Sequence, residues 1–177
     1  MYERAREIFV THGGNAFHMG RDLVLDEYKS YNVPKEIERK WAEEEIKENL
    51  IKVCRDFDSG TRIVILSHTI NYINDFDLYE YISPIIEVCP KIEPEMDSFD
   101  RMYLCEVLAN RIPKEFLKKD EIKNYILSIC KKVKEHPELP EDFECSDDFA
   151  DIFSTENILR RINEVIIKIK TWDGILR

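Results

Sequence analysis

The chain has 177 residues, with 36 Asp and Glu against 26 Lys and Arg and a formal charge of −10. That length fits one domain that buries about 70% of its unfolded surface without a disulfide or metal to staple it. With 44% hydrophobic residues, 35% charged residues and only five glycines, the composition excludes a disordered tail, collagen, a membrane protein and a glycine-rich β-protein.

Nearly every segment has helical periodicity and none alternates with period two, which predicts an all-α fold of roughly seven or eight helices. Tyr2 to His12 forms a first helix with Ala5, Ile8 and Phe9 inward. Arg21 to Tyr31 forms a second, with Leu23, Val24, Tyr28 and Tyr31 apolar. Val33-Pro34 stops it, and Pro34 suits the first position of the next helix, where a missing N–H has no partner to lose. From Pro34 to Phe57 one stripe holds Ile37, Trp41, Ile46, Leu50, Val53, Cys54 and Phe57, and Asp58-Ser59-Gly60 breaks it. In Thr61 to Ile73 the β-branched run Ile63–Ile65 would suit a buried strand, but no second strand exists to pair with it, so a helix is expected. Leu78 to Cys89 carries Pro84, which predicts a kink or a late start. Ser98–Ile112 and Asp120–His136 each end before a proline, and Ser154–Thr171 shows the clearest amphipathic stripe.

An internal register accompanies these elements. Glu45–Cys54 (EIKENLIKVC), Glu80–Cys89 (EYISPIIEVC) and Glu121–Cys130 (EIKNYILSIC) share Glu, apolar, three variable, two apolar, polar, apolar, Cys, at offsets of 35 and 41 residues. Asp58-Ser59-x-x-Arg62 and Asp97-Ser98-x-x-Arg101 each precede a further helix, with Asp and Ser as natural N-caps. A poorer third copy has Ser154 at the cap and Asn157 where Arg would stand. Two helices per unit of about 40 residues resemble helical-hairpin repeats of the HEAT and armadillo kind. The resemblance covers roughly Pro34 to Thr171 and implies hairpins stacked as a short α-solenoid or irregular bundle, within a single all-α domain expected over residues 1–177. Residues 1–33 would be N-terminal helices and a glycine-rich loop, and residues 34–172 the hairpins, with an acidic insertion at 137–153. It also implies that Cys54, Cys89 and Cys130 are equivalent, buried, unbridged thiols.

No C-x-x-C pair occurs among Cys54, Cys89, Cys105, Cys130 and Cys145, so neither a zinc ribbon nor a thioredoxin-type site is expected, and no cofactor. The chain lacks an apolar run long enough to span a bilayer, and residues 1–6 lead straight into a helix without a signal-peptide core. No membrane partner and a cytoplasmic location are the expectation. The basic groups Lys118–Lys119, Lys131–Lys132–Lys134 and Arg160–Arg161 fall on polar helix faces without interleaved aromatics, which argues against nucleic acid.

Two segments are candidates for function. Between Glu138 and Asp151 stand seven acids and no base. Glu138, Glu141, Asp142, Glu144, Asp147 and Asp148, with Phe143 and Phe149, suit docking of a basic protein, because acids steer such a partner and aromatics supply buried contact. Phe153 continues the aromatic set. The other segment, His12 to Asp22 (HGGNAFHMGRD), holds three of the five glycines. His12, His18 and Asp22 could ligate a metal, and Arg21 could hold a phosphate or carboxylate. His68 is expected as a packed core histidine, and Glu43-Glu44-Glu45 as surface groups. The leading expectation is a soluble, acidic, non-enzymatic interaction module for a basic protein, comparable by analogy to immunity proteins and antitoxins. The abundance of Ile, Lys, Glu, Asn and Tyr points to AT-rich coding sequence such as many bacteria have. The alternative is a small metal- or phosphate-dependent enzyme or ligand binder built on His12–Asp22.

Overall fold

The computed structural model describes residues 2–55, 57–139 and 151–172. The described residues form ten α-helices and no strand. These are α1 (Glu3–Thr11), α2 (Ala16–Arg21), α3 (Leu25–Ser30), α4 (Lys35–Lys52), α5 (Ser59–Asp75), α6 (Ile82–Ile92), α7 (Ser98–Arg111), α8 (Lys114–Leu117), α9 (Asp120–Glu135) and α10 (Thr155–Trp172). No helix among the described residues is long and apolar enough to cross a membrane.

The count exceeds the seven or eight expected because short turns of helix escape a periodicity reading. The Arg21–Tyr31 segment is not one helix. Leu23 takes a left-handed conformation, φ 60°, and stands 90% exposed between α2 and α3. The single turn α8 follows Pro113. Pro84 falls in the first turn of α6, where no intrahelical N–H is needed, and the chain enters that helix late, through a 3₁₀ turn at Tyr79–Tyr81.

The repeated cap works in all three copies. Asp58 accepts from the Thr61 N–H at 2.8 Å, Asp97 from the Asp100 N–H at 2.8 Å, and Ser154 from the Asn157 N–H at 3.2 Å. Each cap satisfies an N–H that the first helical turn leaves unpaired. The serine beside each Asp ties one unit to a later one. Ser59 donates to Asp100 at the start of α7, and Ser98 to the His136 carbonyl at the end of α9. Asn74 Nδ2 reaches the Arg111 carbonyl at 2.8 Å, and Arg39 Nε the Phe76 carbonyl at 3.2 Å. These partners lie 37–41 residues apart, close to the sequence period. Helix α5 packs on α4, α6 and α7, and α7 packs on α9 and α10.

The repeated arginines are also held alike. Arg62 is buried, and its Nη1 meets Glu95 at 2.5 Å and its Nη2 the Arg55 carbonyl at 3.0 Å. Arg101 Nε meets Glu93 at 2.5 Å, and Lys132 Nζ takes the other Glu93 oxygen at 2.7 Å. Burial alone would raise the Glu93 carboxyl. The bonds from Lys132 and Arg101 overcome it and hold the group below the usual range.

The cysteine register holds at two of its three positions. Cys89 and Cys130 are buried on α6 and α9, with Cys105 of α7 buried too. Burial pushes the Cys89 thiol up to about 12. Cys54 is exposed, because α4 ends at Lys52 and Val53 just beyond it takes the buried position, which turns Cys54 outward. Phe57, on the same sequence stripe but beyond the end of α4, is 41% exposed.

Helix α1 is anchored by Phe9. Its ring centroid lies 5.6 Å from Trp41, 5.7 Å from Phe76, 5.9 Å from Tyr72 and 6.4 Å from Tyr28. Gly13 (φ +62°) and Gly14 (φ +67°) then reverse the chain, and the Gly14 N–H donates to the Phe9 carbonyl at 2.8 Å. A Cβ on Gly14 would stand 2.9 Å from the Phe9 ring, whereas one on Gly13 would meet nothing within 4 Å. Both Gly→Ala changes incur the left-handed cost of about 1–2 kcal/mol. Only Gly14→Ala adds a clash with the aromatic anchor, so thermal melts should show a distinctly larger loss for Gly14→Ala than for Gly13→Ala.

Candidate functional site

The turn after α1 and the short helix α2 lie over the paired helices α4 and α5. Asn15 caps α2, its Oδ1 accepting from the Phe17 and His18 N–H groups at 2.8 and 3.3 Å. Between these layers is a cavity of about 410 Å³. Its upper wall includes His12, His18, Arg21 and Asp22, so the four side chains named from the glycine-rich segment do share one pocket. Helix α4 contributes Glu45, Asn49 and Lys52, and α5 contributes His68, Asn71 and Tyr72. Those spacings, four and three on α4, three and one on α5, put each triplet on a single helical face.

Three of the upper-wall groups are committed to one another. The Arg21 fork closes on Asp22, Nε to Oδ1 at 2.8 Å and Nη2 to Oδ2 at 3.1 Å. His12 Nε2 faces Asp22 Oδ2 at 3.3 Å, and His12 Nδ1 lies 2.8 Å from the Ile8 carbonyl. A carbonyl only accepts, so Nδ1 carries a proton, and the contact with Asp22 is an ion pair when Nε2 is protonated too. The hydrogen bond from Arg21 holds the Asp22 carboxyl below the usual range against the opposing effect of burial, with the charges of Arg21 and His12 adding to it. His12, Arg21 and Asp22 thus brace the wall. They do not offer free ligating atoms.

The groups that remain open come from elsewhere. Glu45 is 8% exposed and forms no hydrogen bond or ion pair among the described residues. Burial first, and the charge of Glu48 second, raise its carboxyl. Tyr72 is 3% exposed, and burial and then the Glu45 charge push its hydroxyl up. Asn71 Oδ1 accepts from Arg111 Nη1 at 2.7 Å, which leaves its Nδ2 hydrogens unspent. His68 opens to solvent at the pocket and is not a packed core residue. Desolvation, then the charges of His18 and Arg111, lower its pKa and favour the neutral ring. Among the described residues no group of three His, Cys, Asp or Glu is placed to hold a metal ion.

Two expectations need correction. Glu45 is not a surface group like Glu43 and Glu44, because it faces the gap between α4 and α5 and is buried. His68 is not a core residue, because its face of α5 looks toward α2. Sequence reasoning misses Glu45, Asn49, Lys52, Asn71 and Tyr72 because a polar stripe on an exposed helix face has the same spacing as one lining a pocket. Of the acidic docking set, Glu138 is exposed. Glu141, Asp142, Phe143, Glu144, Asp147, Asp148 and Phe149 lie outside the described residues. Phe153 packs on Phe99, with centroids 4.6 Å apart.

Comparison of the chain with protein-family models, curated proteins and solved structures finds no significant match. The case for function therefore rests on the pocket and on the charge pattern.

Because the folded state raises the Glu45 pKa, the native protein binds protons more readily than the unfolded chain, and stability falls as pH rises through the folded value. Glu45→Gln removes this penalty. The variant should melt higher than wild type at pH 7, and the gain should shrink to nothing as pH falls below the unfolded carboxyl range near about 4. An equal or lower melting temperature at pH 7 would contradict the assigned burial.

Proposed function

We propose that this chain is a helical binding protein whose working site is the pocket between α2 and the α4–α5 pair, and that it takes a small polar molecule. The observation that carries this reading is the convergence of hydrogen-bonding side chains from three separate elements on one cavity, with Glu45 and Tyr72 presenting polar atoms there that no protein group engages. Pockets of small-molecule sites span roughly 300–1,000 Å³, and this one falls in that range at about 410 Å³. A carboxyl and a phenol hydroxyl on largely buried side chains, both open to one cavity and neither bonded to the protein, are available to a ligand there. The reading covers binding and assigns no reaction.

The test is thermal stabilisation by a panel of small polar metabolites. Wild type should gain stability saturably with one chemical class, and His68→Phe, which blocks the pocket at a solvent-open position, should lose that gain while keeping its unliganded melting temperature. No stabilisation by any class at millimolar concentration would dispose of the idea.

A second reading keeps the acidic segment as a docking surface for a basic protein partner, displayed on stacked helical hairpins of the α-solenoid kind. It is supported by the seven acids without a base in residues 138–151 and by the cap-and-tie bonds at the repeat spacing. Polylysine should bind the full chain with strong salt dependence, and replacing Glu138, Glu141, Asp142, Glu144, Asp147 and Asp148 by Gln or Asn should abolish that binding. Undiminished binding would remove this surface.

A further inference from the structure

We infer that the pocket selects a small zwitterion, with the ligand's ammonium group seated against Glu45 and Tyr72 and its anionic end held by the amide, ammonium and imidazole donors of Asn71, Lys52 and His68 in the same lining. This rests on the reading of the pocket as a ligand site and goes further by naming the ligand's chemistry.

The argument starts from Glu45. As a residue it is 8% exposed, and its carboxyl oxygens, which have no protein partner, are not sealed in the core but open onto the cavity it lines. The cations that could have served are occupied. Lys52 Nζ lies 2.8 Å from Glu48, and Arg6 Nη2 3.0 Å from Glu44. Buried charges in folded proteins are paired or lose their charge. A cationic donor from a ligand would complete this one, and the Tyr72 hydroxyl beside it would accept a further N–H.

The remaining lining is rich in donors. Asn71 keeps its amide hydrogens because Arg111 occupies its oxygen. Lys52 has donors beyond the one that Glu48 takes, and the neutral His68 ring offers an N–H. These groups suit a single carboxylate or phosphate. They do not suit a polyphosphate, because the Arg21 fork, the guanidinium of the lining, is already closed on Asp22.

Isothermal titration of the full chain decides the matter with matched probes. Two zwitterions, 4-aminobutyrate and O-phosphoethanolamine, are compared with butyrate and ethyl phosphate, which lack the amine, and with butylamine, which lacks the anion. At least one zwitterion should bind saturably, roughly tenfold or more tighter than its amine-free and anion-free analogues, the effect of one charge-assisted hydrogen bond. The two zwitterions separate a carboxylate ligand from a phosphate one. Glu45→Gln should lose a similar factor while its melting curve shows an intact fold. If butyrate or ethyl phosphate binds as tightly as its zwitterion, or if Glu45→Gln binds undiminished, the ammonium assignment is overturned and the pocket stands. If none of the five probes binds, the zwitterion assignment fails, and the pocket reading falls with it only if the metabolite panel also gives no stabilisation.

Discussion

The position of Phe9 is the constraint on which the N-terminal half depends. One ring touches aromatic side chains from α3, α4 and α5 and from the turn after α5. Aromatic pairs at these separations contribute about 0.5–1.5 kcal/mol each beyond the area they bury, so α1 has one seat on the α4–α5 pair. The seat also dictates the path of the chain after α1. The backbone must reverse immediately beside the ring, only a residue without a side chain fits there, and Gly14 supplies it. From that reversal α2 has one direction to run, across the polar faces of α4 and α5. The pocket is therefore a product of the aromatic anchor. It needs no strain in its own walls, since His12, Arg21 and Asp22 satisfy one another.

The polar chemistry of the fold divides into two kinds. At the repeated caps, each Asp accepts a backbone N–H, the Ser59 and Ser98 hydroxyls donate to a later helix, and each repeated arginine has its acid. Glu93 illustrates this kind. It is nearly fully buried, yet two cations hold it ionised. Glu45 is its opposite, comparably buried and unpaired, with its carboxyl shifted upward. The same residue type in the same degree of burial has opposite electrostatics because one has neighbours of opposite charge and the other faces a cavity. Among the described residues these are the two buried acids, and that contrast singles out Glu45.

The charge distribution has a similar split. Seven acids stand together in residues 138–151. Elsewhere acids and bases are largely interleaved and paired along helix faces, as Lys47 pairs with Glu43 and Arg160 with Glu164. Pairs of this exposed kind contribute little to stability. Their effect is a surface of mixed charge over the described helices, whereas the sequence of residues 138–151 carries acids alone.

The features legible in the sequence obey local rules. Helical class, the inward faces of α1 and α10, the Asp and Ser caps and the stops before proline all depend on residues within a turn or two of each other, so periodicity and capping chemistry determine them. The glycine-rich segment is legible as a candidate site for the same reason: its histidines, Arg21 and Asp22 are neighbours in the chain. Other features are out of reach. Leu23 breaks the second helix in two, and Cys54 leaves its repeat position, because tertiary packing overrides a local pattern. Glu45 lies in the middle of a charged helix and His68 in an apolar one, and neither neighbourhood reports what stands across the gap. The sequence alone decided which residues would be helical and which helix faces were polar. Only the tertiary structure decided which of those polar faces meet water and which meet each other, because that depends on where Phe9 seats α1, a contact between residues far apart in the chain.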